Sequence, residues 1–389
     1  MRDRDPARAA GWIAEPDGAP SSCVFRMADD EHTARPRLLL VEPAARGSGL
    51  GGRLVDECVA FALRAGGTAV IGSGPPGLAT VDGVRFAISI PQYAPDGSFD
   101  PRALREYLAR AEQLGFESAW TVEQVLGTRP QLGPTEVLTF AAALTGRIRL
   151  GCAVYVTPLH HPVQLAKSLS TLDQLSGGRL EVGVGTGGRH RMFSAFGVDP
   201  DTLVARFTEG IRLMKALWVE PTIDFDGRFW RLDGAAMEPK PAQQPHPPLW
   251  FGGHAPAALR RAVRLGDGFF GAGSTTTDAF VEQVGVVREA LTAADRDPAT
   301  FGLAKRVYLA VDDDAQRARR RMTEELSGMY GPGAGERLLP VTVVGPPEEC
   351  AAGLSEVTDA GAELLLLNPL YDEREQMERL VAEVLPLMG

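Results

Sequence analysis

The fold is decided by one stretch of sequence, Gln164-Leu-Ala-Lys-Ser-Leu-Ser-Thr-Leu-Asp-Gln-Leu-Ser-Gly-Gly-Arg-Leu-Glu-Val-Gly-Val-Gly-Thr-Gly-Gly188. Its first part has apolar residues at helical spacing, and Gly177 stands where such a helix would end. The run Leu180–Gly185 follows, and its small and apolar residues, broken only by Glu181, are typical of a strand buried in a parallel sheet. A glycine-rich turn ends the stretch. The order of helix, strand and turn predicts one unit of a repeating α/β fold.

The same alternation continues on both sides of this stretch, between Val84 and Leu367. We expect strands at Val84–Pro91, Glu117–Val122, Ile148–Thr157, Leu180–Gly185, Pro248–Gly252, Asp267–Gly271, Ala304–Val311 and Glu363–Leu367. Strands that alternate with helices in this number predict a (β/α)₈ TIM barrel, and a doubly wound open sheet is the alternative. In a barrel, the active site lies in the loops at the carboxyl ends of the strands.

A segment rich in glycine and proline, residues 72–83, separates two parts of the chain. Such a composition is typical of a linker. The sequence therefore predicts a short amino-terminal segment at residues 1–71, a linker at 72–83 and the barrel at 84–389.

Composition excludes several classes of function. The net charge is −10 and the chain has no basic stripe, so we expect no nucleic-acid partner. No apolar run reaches the roughly 18 residues of a membrane span, and the charged amino terminus is unlike a signal peptide. The four cysteines are not at metal-ligand spacing and lie in apolar segments, which predicts free thiols in the cytoplasm. We expect a small-molecule substrate, and a homodimer is compatible with the sequence.

Glycine-rich turns follow three of the predicted strands. The first is Gly185–Gly188, and the second is Gly252-Gly253, shortly before a helix that begins near Pro256. Backbone N–H groups at a helix start favour an anion. The third turn begins at Gly271, after the next strand. Two such turns after adjacent late strands are typical of a phosphate site in a barrel, although ordinary tight turns have the same composition.

Four histidines are candidate metal ligands, and one lysine is a candidate for covalent catalysis. His160, His161, His190 and His254 all fall in loops at the predicted carboxyl face. Without a His-x-His pair or a carboxylate at ligand spacing, we expect no metal site. Lys305 is placed near the start of its strand, at the wrong end of a barrel for a Schiff base.

The chain resembles the bacterial luciferase-like family of oxidoreductases, above all its deazaflavin-dependent branch. The resemblance covers roughly residues 84–389. The matching residues are Phe86-Ala-Ile-Ser-Ile-Pro91, Leu114-Gly-Phe-Glu-Ser-Ala-Trp120, Arg149-Leu-Gly-Cys-Ala-Val-Tyr-Val-Thr-Pro158, His161-Pro162, Ala166-Lys-Ser-Leu-Ser-Thr-Leu-Asp173, Leu175-Ser-Gly-Gly-Arg179, Gly183-Val-Gly-Thr-Gly187, Phe225-Asp-Gly-Arg-Phe-Trp230, Pro248-Leu-Trp-Phe-Gly-Gly253 and Gly266-Asp-Gly-Phe269.

This resemblance implies a (β/α)₈ barrel that binds coenzyme F420, with FMN as the alternative. It implies hydride transfer to or from a small organic substrate, or activation of oxygen. The cofactor ring would lie over a bulge in the third strand, with a cis peptide at Ala153–Val154. The implied cofactor-binding residues are Ala153, Val154, Thr186, Gly187, Gly188, Gly252, Gly253, Gly271, Ala272, Gly273 and Ser274.

The candidate catalytic residues are Glu123, Gln124, His161 and His190. Sugar-phosphate dehydrogenases of the deazaflavin branch carry an Asp-His pair after the second strand, whereas Glu123-Gln124 stands there in this chain. Glutamine cannot accept a proton at neutral pH. This departure argues against a sugar-phosphate substrate.

The amino-terminal segment resembles an incomplete GCN5-related N-acetyltransferase, an α+β fold. Residues Arg37-Leu-Leu-Leu-Val-Glu-Pro43 are similar to its central strand, and Arg46-Gly-Ser-Gly-Leu-Gly51 to its pyrophosphate-binding turn. The early helices and later strands of that family are missing, which implies a non-catalytic remnant. The alternative functions for the chain are therefore acyl transfer by this segment, or cofactor binding without catalysis.

Overall fold

In a computed structural model, the chain divides into two units, Met1–Gly74 and Pro75–Gly389. The structure describes residues 83–188 and 191–388 and, in the first unit, three strands. These are β1 (Ala9–Ala14), β2 (Ser22–Ala28) and β3 (Ala34–Val41), which pair in that order as an antiparallel sheet. The strand of the acetyltransferase resemblance overlaps β3, and its pyrophosphate-binding turn lies outside the described residues.

The second unit contains the strands of the barrel and three additional strands. They are β4 (Arg85–Ser89), β5 (Ser118–Thr121), β6 (Arg149–Val156), β7 (Leu180–Gly185), β8 (Ile223–Asp226), β9 (Arg231–Ala235), β10 (Leu249–Gly252), β11 (Gly268–Gly271), β12 (Gly302–Val311), β13 (Val343–Gly345) and β14 (Leu364–Pro369).

Eight of these strands close a parallel barrel, in the order β4, β5, β6, β7, β10, β11, β12, β14 and back to β4. All eight predicted strands are confirmed within a few residues, and the alternative of an open sheet is wrong because β11 pairs with β12. The register of β6 against β7 shifts between Cys152 and Tyr155. This bulge contains a cis peptide bond at Ala153–Val154, where the resemblance implied one.

The helices of the described chain agree with the two helix signals named above, an end at Gly177 and a start near Pro256. They are α1 (Pro101–Leu114), α2 (Pro134–Leu144), α3 (Pro162–Ser176), α4 (Leu203–Val219), α5 (Pro256–Leu265), α6 (Thr277–Ala293), α7 (Ala315–Tyr330), α8 (Ala334–Leu338), α9 (Pro347–Asp359) and α10 (Glu373–Arg379). Asp100 caps α1 by accepting a hydrogen bond from the Arg102 amide at 2.8 Å. Gly177 ends α3 at a φ of 67°, a conformation that favours glycine. Among the described residues, no helix is long and apolar enough to cross a membrane.

Three strands of the second unit were not predicted. Strands β8 and β9 form an antiparallel hairpin between α4 and β10, and β13 pairs with the carboxyl end of β12. The hairpin has only four or five residues in each strand, and most of its side chains are exposed or half-buried. Such short strands give no clear apolar run in the sequence.

The interior of the barrel is filled by aromatic side chains, and charged side chains are paired towards its amino-terminal end. The rings of Trp120 and Phe270 meet edge to face with centroids 4.9 Å apart, and Trp250 lies 6.3 Å from Trp120. The indole N–H of Trp250 donates to the Glu181 carboxylate at 2.5 Å, and Arg149 forms an ion pair with the same carboxylate. Burial raises the pKa of Glu181, and Arg149 opposes that shift. This end of the barrel is packed and its charges are paired.

Arg179 ties the loops at the same end. Its guanidinium donates to the carbonyl oxygens of Ala142, Thr145, Ile148 and Ser176 and to the Thr145 hydroxyl, at 2.7–3.1 Å. All five N–H donors of an arginine side chain are thereby used. The Ser-Gly-Gly-Arg motif therefore has a structural role far from the carboxyl face.

Candidate active site

A cavity of about 520 Å³ opens among the turns that follow β7, β10 and β11, and we call it the glycine cavity. It brings together residues that are far apart in the sequence. The predicted cofactor-binding residues that line it are Ala153, Val154, Thr186, Gly187, Gly188, Gly252, Gly253, Gly271, Ala272 and Ser274. The remaining one, Gly273, is adjacent: a Cβ atom there would lie 3.0 Å from the Tyr308 ring and 3.2 Å from Arg306 Nε.

The wall of the glycine cavity at the β6 bulge requires glycine on the neighbouring strands. A Cβ atom on Gly185 would lie 2.7 Å from one methyl group of Val154, and a Cβ atom on Gly252 would lie 3.1 Å from the other. Gly187 has a φ of 68°, and its Cβ would lie 2.7 Å from Val156. Glycine at these positions keeps the cavity open beside the bulge, which leaves room for a flat ligand.

The floor of the loop after β11 is held by Lys305. Its ammonium group donates to the carbonyl oxygens of Ala272 at 2.9 Å and Thr275 at 3.0 Å. Burial lowers the pKa of Lys305 to about 8. The prediction that Lys305 lies at the far end of the barrel is wrong, because Lys305 pairs in register with Gly271, the last residue of β11. Strands of a barrel are staggered, so a position early in one strand can lie beside the end of its neighbour.

Two arginines line the glycine cavity that the sequence did not single out. Arg261 extends from the second turn of α5, and Arg306 extends from β12 towards the barrel interior. The described residues contain no carboxylate within ion-pair distance of either guanidinium. Arg306 donates one hydrogen bond to the Tyr308 hydroxyl at 2.8 Å. Arg261 could have been found from the sequence, because it lies five positions after Pro256 on the helix that follows a glycine turn. Arg306 could be assigned to the cavity only from the geometry of the barrel.

A second cavity of about 330 Å³ lies beside the first, and we call it the tyrosine cavity after Tyr93, Tyr308 and Tyr330 in its wall. Ala153, Val154 and Arg306 line both cavities, so the two meet at the β6 bulge. Trp120, part of the aromatic filling of the barrel interior, is also in its wall.

Arg129 is the second cation of the tyrosine cavity. Its guanidinium carbon lies 3.6 Å from the centroid of the Tyr93 ring. Its Nε atom is buried and has no hydrogen-bond partner. An unpartnered buried N–H group is costly, so this side chain is kept in place by the ring contact rather than by an acceptor in the protein.

Glu123 is held in a fixed position next to the tyrosine cavity. One carboxylate oxygen accepts from the Val156 amide at 2.7 Å, and the other lies 2.8 Å from His160 Nε2. The Glu123 side chain is 3% exposed, whereas that of His160 is 29% exposed. Glu123 lines both the tyrosine cavity and a third, wider cavity of about 800 Å³ that His160 also lines. The sequence suggested Glu123 but not its pairing with His160, which follows β6 rather than β5.

The other catalytic candidates are less well placed. Gln124 lines the tyrosine cavity, and His161 precedes α3 and lines only the third cavity. His190 lies outside the described residues. His254 is exposed at the rim of the glycine cavity. Within the part of the chain that the structure describes, no group of three or more His, Cys, Asp and Glu side chains could hold a metal ion.

Comparison with known proteins identifies relatives with the same barrel. The model of the family described as "Luciferase-like monooxygenase" matches residues 83–340. A relative named F420-dependent glucose-6-phosphate dehydrogenase, from Kineococcus radiotolerans, is 28% identical over 318 residues, which are 75% of this chain and 94% of the relative.

Two solved structures share the barrel. The monooxygenase RslO1 from Streptomyces bottropensis is 26% identical, with a TM-score of 0.65 over 78% of this chain and 100% of that one. An F420-dependent secondary alcohol dehydrogenase is 19% identical, with a TM-score of 0.67 over 79% of this chain and 99% of that one, and this second likeness shows the fold alone.

Proposed function

The chain belongs to the luciferase-like monooxygenase family, and we propose that this oxidoreductase moves hydride between coenzyme F420 and a small organic substrate. The observation that carries the proposal is the joining of two cavities at the Ala153–Val154 bulge. One cavity is lined by glycine turns from three successive strands of the barrel, and the other by polar and aromatic side chains. The name of the Kineococcus radiotolerans relative, which this chain covers almost completely, supports F420 over FMN.

The glycine cavity fits the phosphate-bearing part of such a cofactor. The amides that precede Pro256 lie at the positive end of α5, and Arg261 on the same helix lines the cavity. Glycine and alanine at 271–273 leave the opposite wall free of long side chains. These residues would bind and orient the phosphate, and Lys305 would hold the loop that forms the wall.

The bulge at Ala153–Val154 is the place for the ring, because among the described residues only these two and Arg306 line both cavities. When bound, the cofactor supplies the ring atom that accepts or delivers hydride. The protein contributes binding, orientation and exclusion of water. Packing of Trp120, Trp250 and Phe270 in the barrel interior excludes water from below.

Glu123 is the proposed proton acceptor for the substrate. Its carboxylate lies at the wall of the tyrosine cavity, fixed by the Val156 amide and His160. When an alcohol is oxidised, hydride leaves carbon and the hydroxyl proton must be taken up by a base. Glu123 can hold that proton, and the half-exposed His160 positions the carboxylate and links it to the wider third cavity.

A second candidate, oxygen activation with FMN, is favoured by one observation. The monooxygenase RslO1, at 26% identity, shares this fold over its full length. Oxygen consumption by the FMN-loaded protein with a reductant present, measured against free FMN, distinguishes this candidate from hydride transfer.

Titration of the purified protein tests the proposal. We expect equilibrium dialysis to show F420 bound with a Kd well below about 1 mM, and FMN bound more weakly. Binding of neither cofactor at that concentration would refute the proposal. Glu123→Gln should retain cofactor affinity and lose reduction of F420 by a panel of small alcohols, with the exposed Glu136→Gln as the matched control.

The amino-terminal segment, residues 1–71, is proposed to be a non-catalytic remnant. The eight strands of the barrel all belong to the second unit. Two buried free thiols, Cys152 and Cys350, further support a location in the reducing cytoplasm.

A further inference from the structure

We propose that the tyrosine cavity binds the anionic group of the substrate, a carboxylate, sulfonate or phosphate, through Arg129 and Arg306. The inference rests on the proposed function in one respect: the rest of the substrate must reach the ring site at the Ala153–Val154 bulge. The inference goes beyond the proposed function because it assigns a chemical class to the substrate. It also names the two residues that recognise that substrate.

The first observation is that the half-buried side chain of Arg129 has a buried Nε atom without an acceptor. Its Nε has no hydrogen-bond partner, and the described residues offer no carboxylate within ion-pair distance of the guanidinium. The Tyr93 ring at 3.6 Å holds the plane of the side chain but accepts no N–H bond in that plane. Arginine cannot lose its proton in a protein, so this charge is in place before any ligand arrives.

The second observation is that Arg306 brings another uncompensated charge to the same cavity. It lies inside the barrel on β12, and its recorded hydrogen bond goes to the neutral Tyr308 hydroxyl. Tyr308 in turn shares a hydrogen bond with Tyr330 across the cavity wall. Two guanidinium groups and two phenols provide donors, which is the chemistry that recognises an oxyanion.

The acidic residues of the cavity do not cancel this charge. Glu123 is satisfied by the Val156 amide and His160. Glu373, at the start of α10, is largely buried, and burial raises its pKa towards the neutral form. Neither forms an ion pair with Arg129 or Arg306. Glu325 is close enough for the charge of Arg129 to act on its pKa, but burial raises that pKa, and the two side chains form no ion pair.

The geometry separates the substrate anion from the cofactor phosphate. Arg129 lines the tyrosine cavity and not the glycine cavity, whereas Arg261 lines the glycine cavity and not the tyrosine cavity. Arg306 lines both and lies at the junction. Removal of Arg129 should therefore affect substrate anions without affecting the cofactor.

The test is isothermal titration calorimetry of the F420-loaded protein with phenyl phosphate, benzoate and the neutral benzyl alcohol. We expect one or both anions to bind at least about tenfold more tightly than the alcohol, and to shift the absorbance of the bound cofactor. Arg129→Gln should weaken anion binding by at least about tenfold with unchanged F420 affinity. Arg129→Lys, which keeps the charge, should restore most of the anion affinity.

Arg206→Gln is the matched control. Arg206 also lies over an aromatic ring, 4.8 Å from the Trp230 centroid, and its Nε is also buried without a partner, but it lines neither cavity. Equal binding of anions and alcohol, or unchanged anion binding in a folded Arg129→Gln protein, would overturn the proposal. If F420 itself does not bind, the same titrations on the cofactor-free protein still decide the anion site, so the two failures are distinguishable.

Discussion

The two ends of the barrel differ in whether their charged side chains have partners within the protein. At the amino-terminal end, Arg179 uses all five N–H donors on protein acceptors, and Glu181 has both Arg149 and Trp250 as partners. At the carboxyl end, Arg129 and Arg306 have no carboxylate partner in the described chain. The difference shows which charges serve folding and which are available to a ligand. These half-buried cations are tolerated at the carboxyl end because a cavity, and not packed protein, faces them.

The largest effect is expected at the amino-terminal end. Trp250→Ala removes a buried indole and leaves Glu181 with one partner fewer, so the free energy of unfolding should fall by about 3–5 kcal/mol. Denaturant titration measures this. Cofactor affinity of the folded fraction should change by less than about threefold. A large loss of affinity with unchanged stability would contradict the assignment of this end to folding alone.

The next effect is expected at the open end. In Gly253→Val, a Cβ atom would lie 3.0 Å from Ala258 on α5, and the added methyl groups would occupy the proposed phosphate position. F420 affinity should fall by at least about tenfold, roughly 1.4 kcal/mol. Circular dichroism should show a folded barrel. Full affinity in a folded variant would move the phosphate site away from α5.

A smaller, pH-dependent effect is expected from Lys305. With a pKa of about 8, the ammonium loses a proton as the pH rises from 7 to 9, and one of its hydrogen bonds to the 272–275 loop is lost with its charge. Because an anionic ligand favours the protonated form, affinity for F420 should decrease over this range by about fivefold, on the order of 1 kcal/mol. The Lys305→Met variant should bind F420 more weakly than the wild-type protein at pH 7, and its F420 affinity should be nearly independent of pH. If the F420 affinity of the wild-type protein did not change between pH 7 and pH 9, this role of Lys305 would be contradicted.

The smallest effect is expected outside both ends. Deletion of residues 1–80 should leave the barrel's stability and F420 affinity nearly unchanged, because all eight strands of the barrel belong to the second unit. Thermal unfolding and dialysis of the truncated protein measure both quantities. A collapse of either would show that the segment completes the barrel or its pocket.

The barrel could be predicted because its buried parallel strands are continuous apolar runs, and because Asp100 and Gly177 mark helix ends locally. The glycine turns could also be predicted, because the residues of each turn are contiguous in the sequence. The pairing of Glu123 with His160 and the meeting of Arg129 with Arg306 depend on how distant loops converge. Lys305 was misplaced because the stagger between neighbouring strands leaves no trace in a single strand's sequence.

Strand β12 has a consequence for how this protein can change by mutation. Lys305 and Arg306 are neighbours, and the alternation of a strand sends one outward to the 272–275 loop and the other inward to both cavities. A one-residue insertion or deletion upstream in β12 would exchange these directions and disable both groups at once. Single substitutions can adjust each group separately. Among descendants of this sequence, β12 should vary in residue identity but keep its length, with gaps confined to the loops around it.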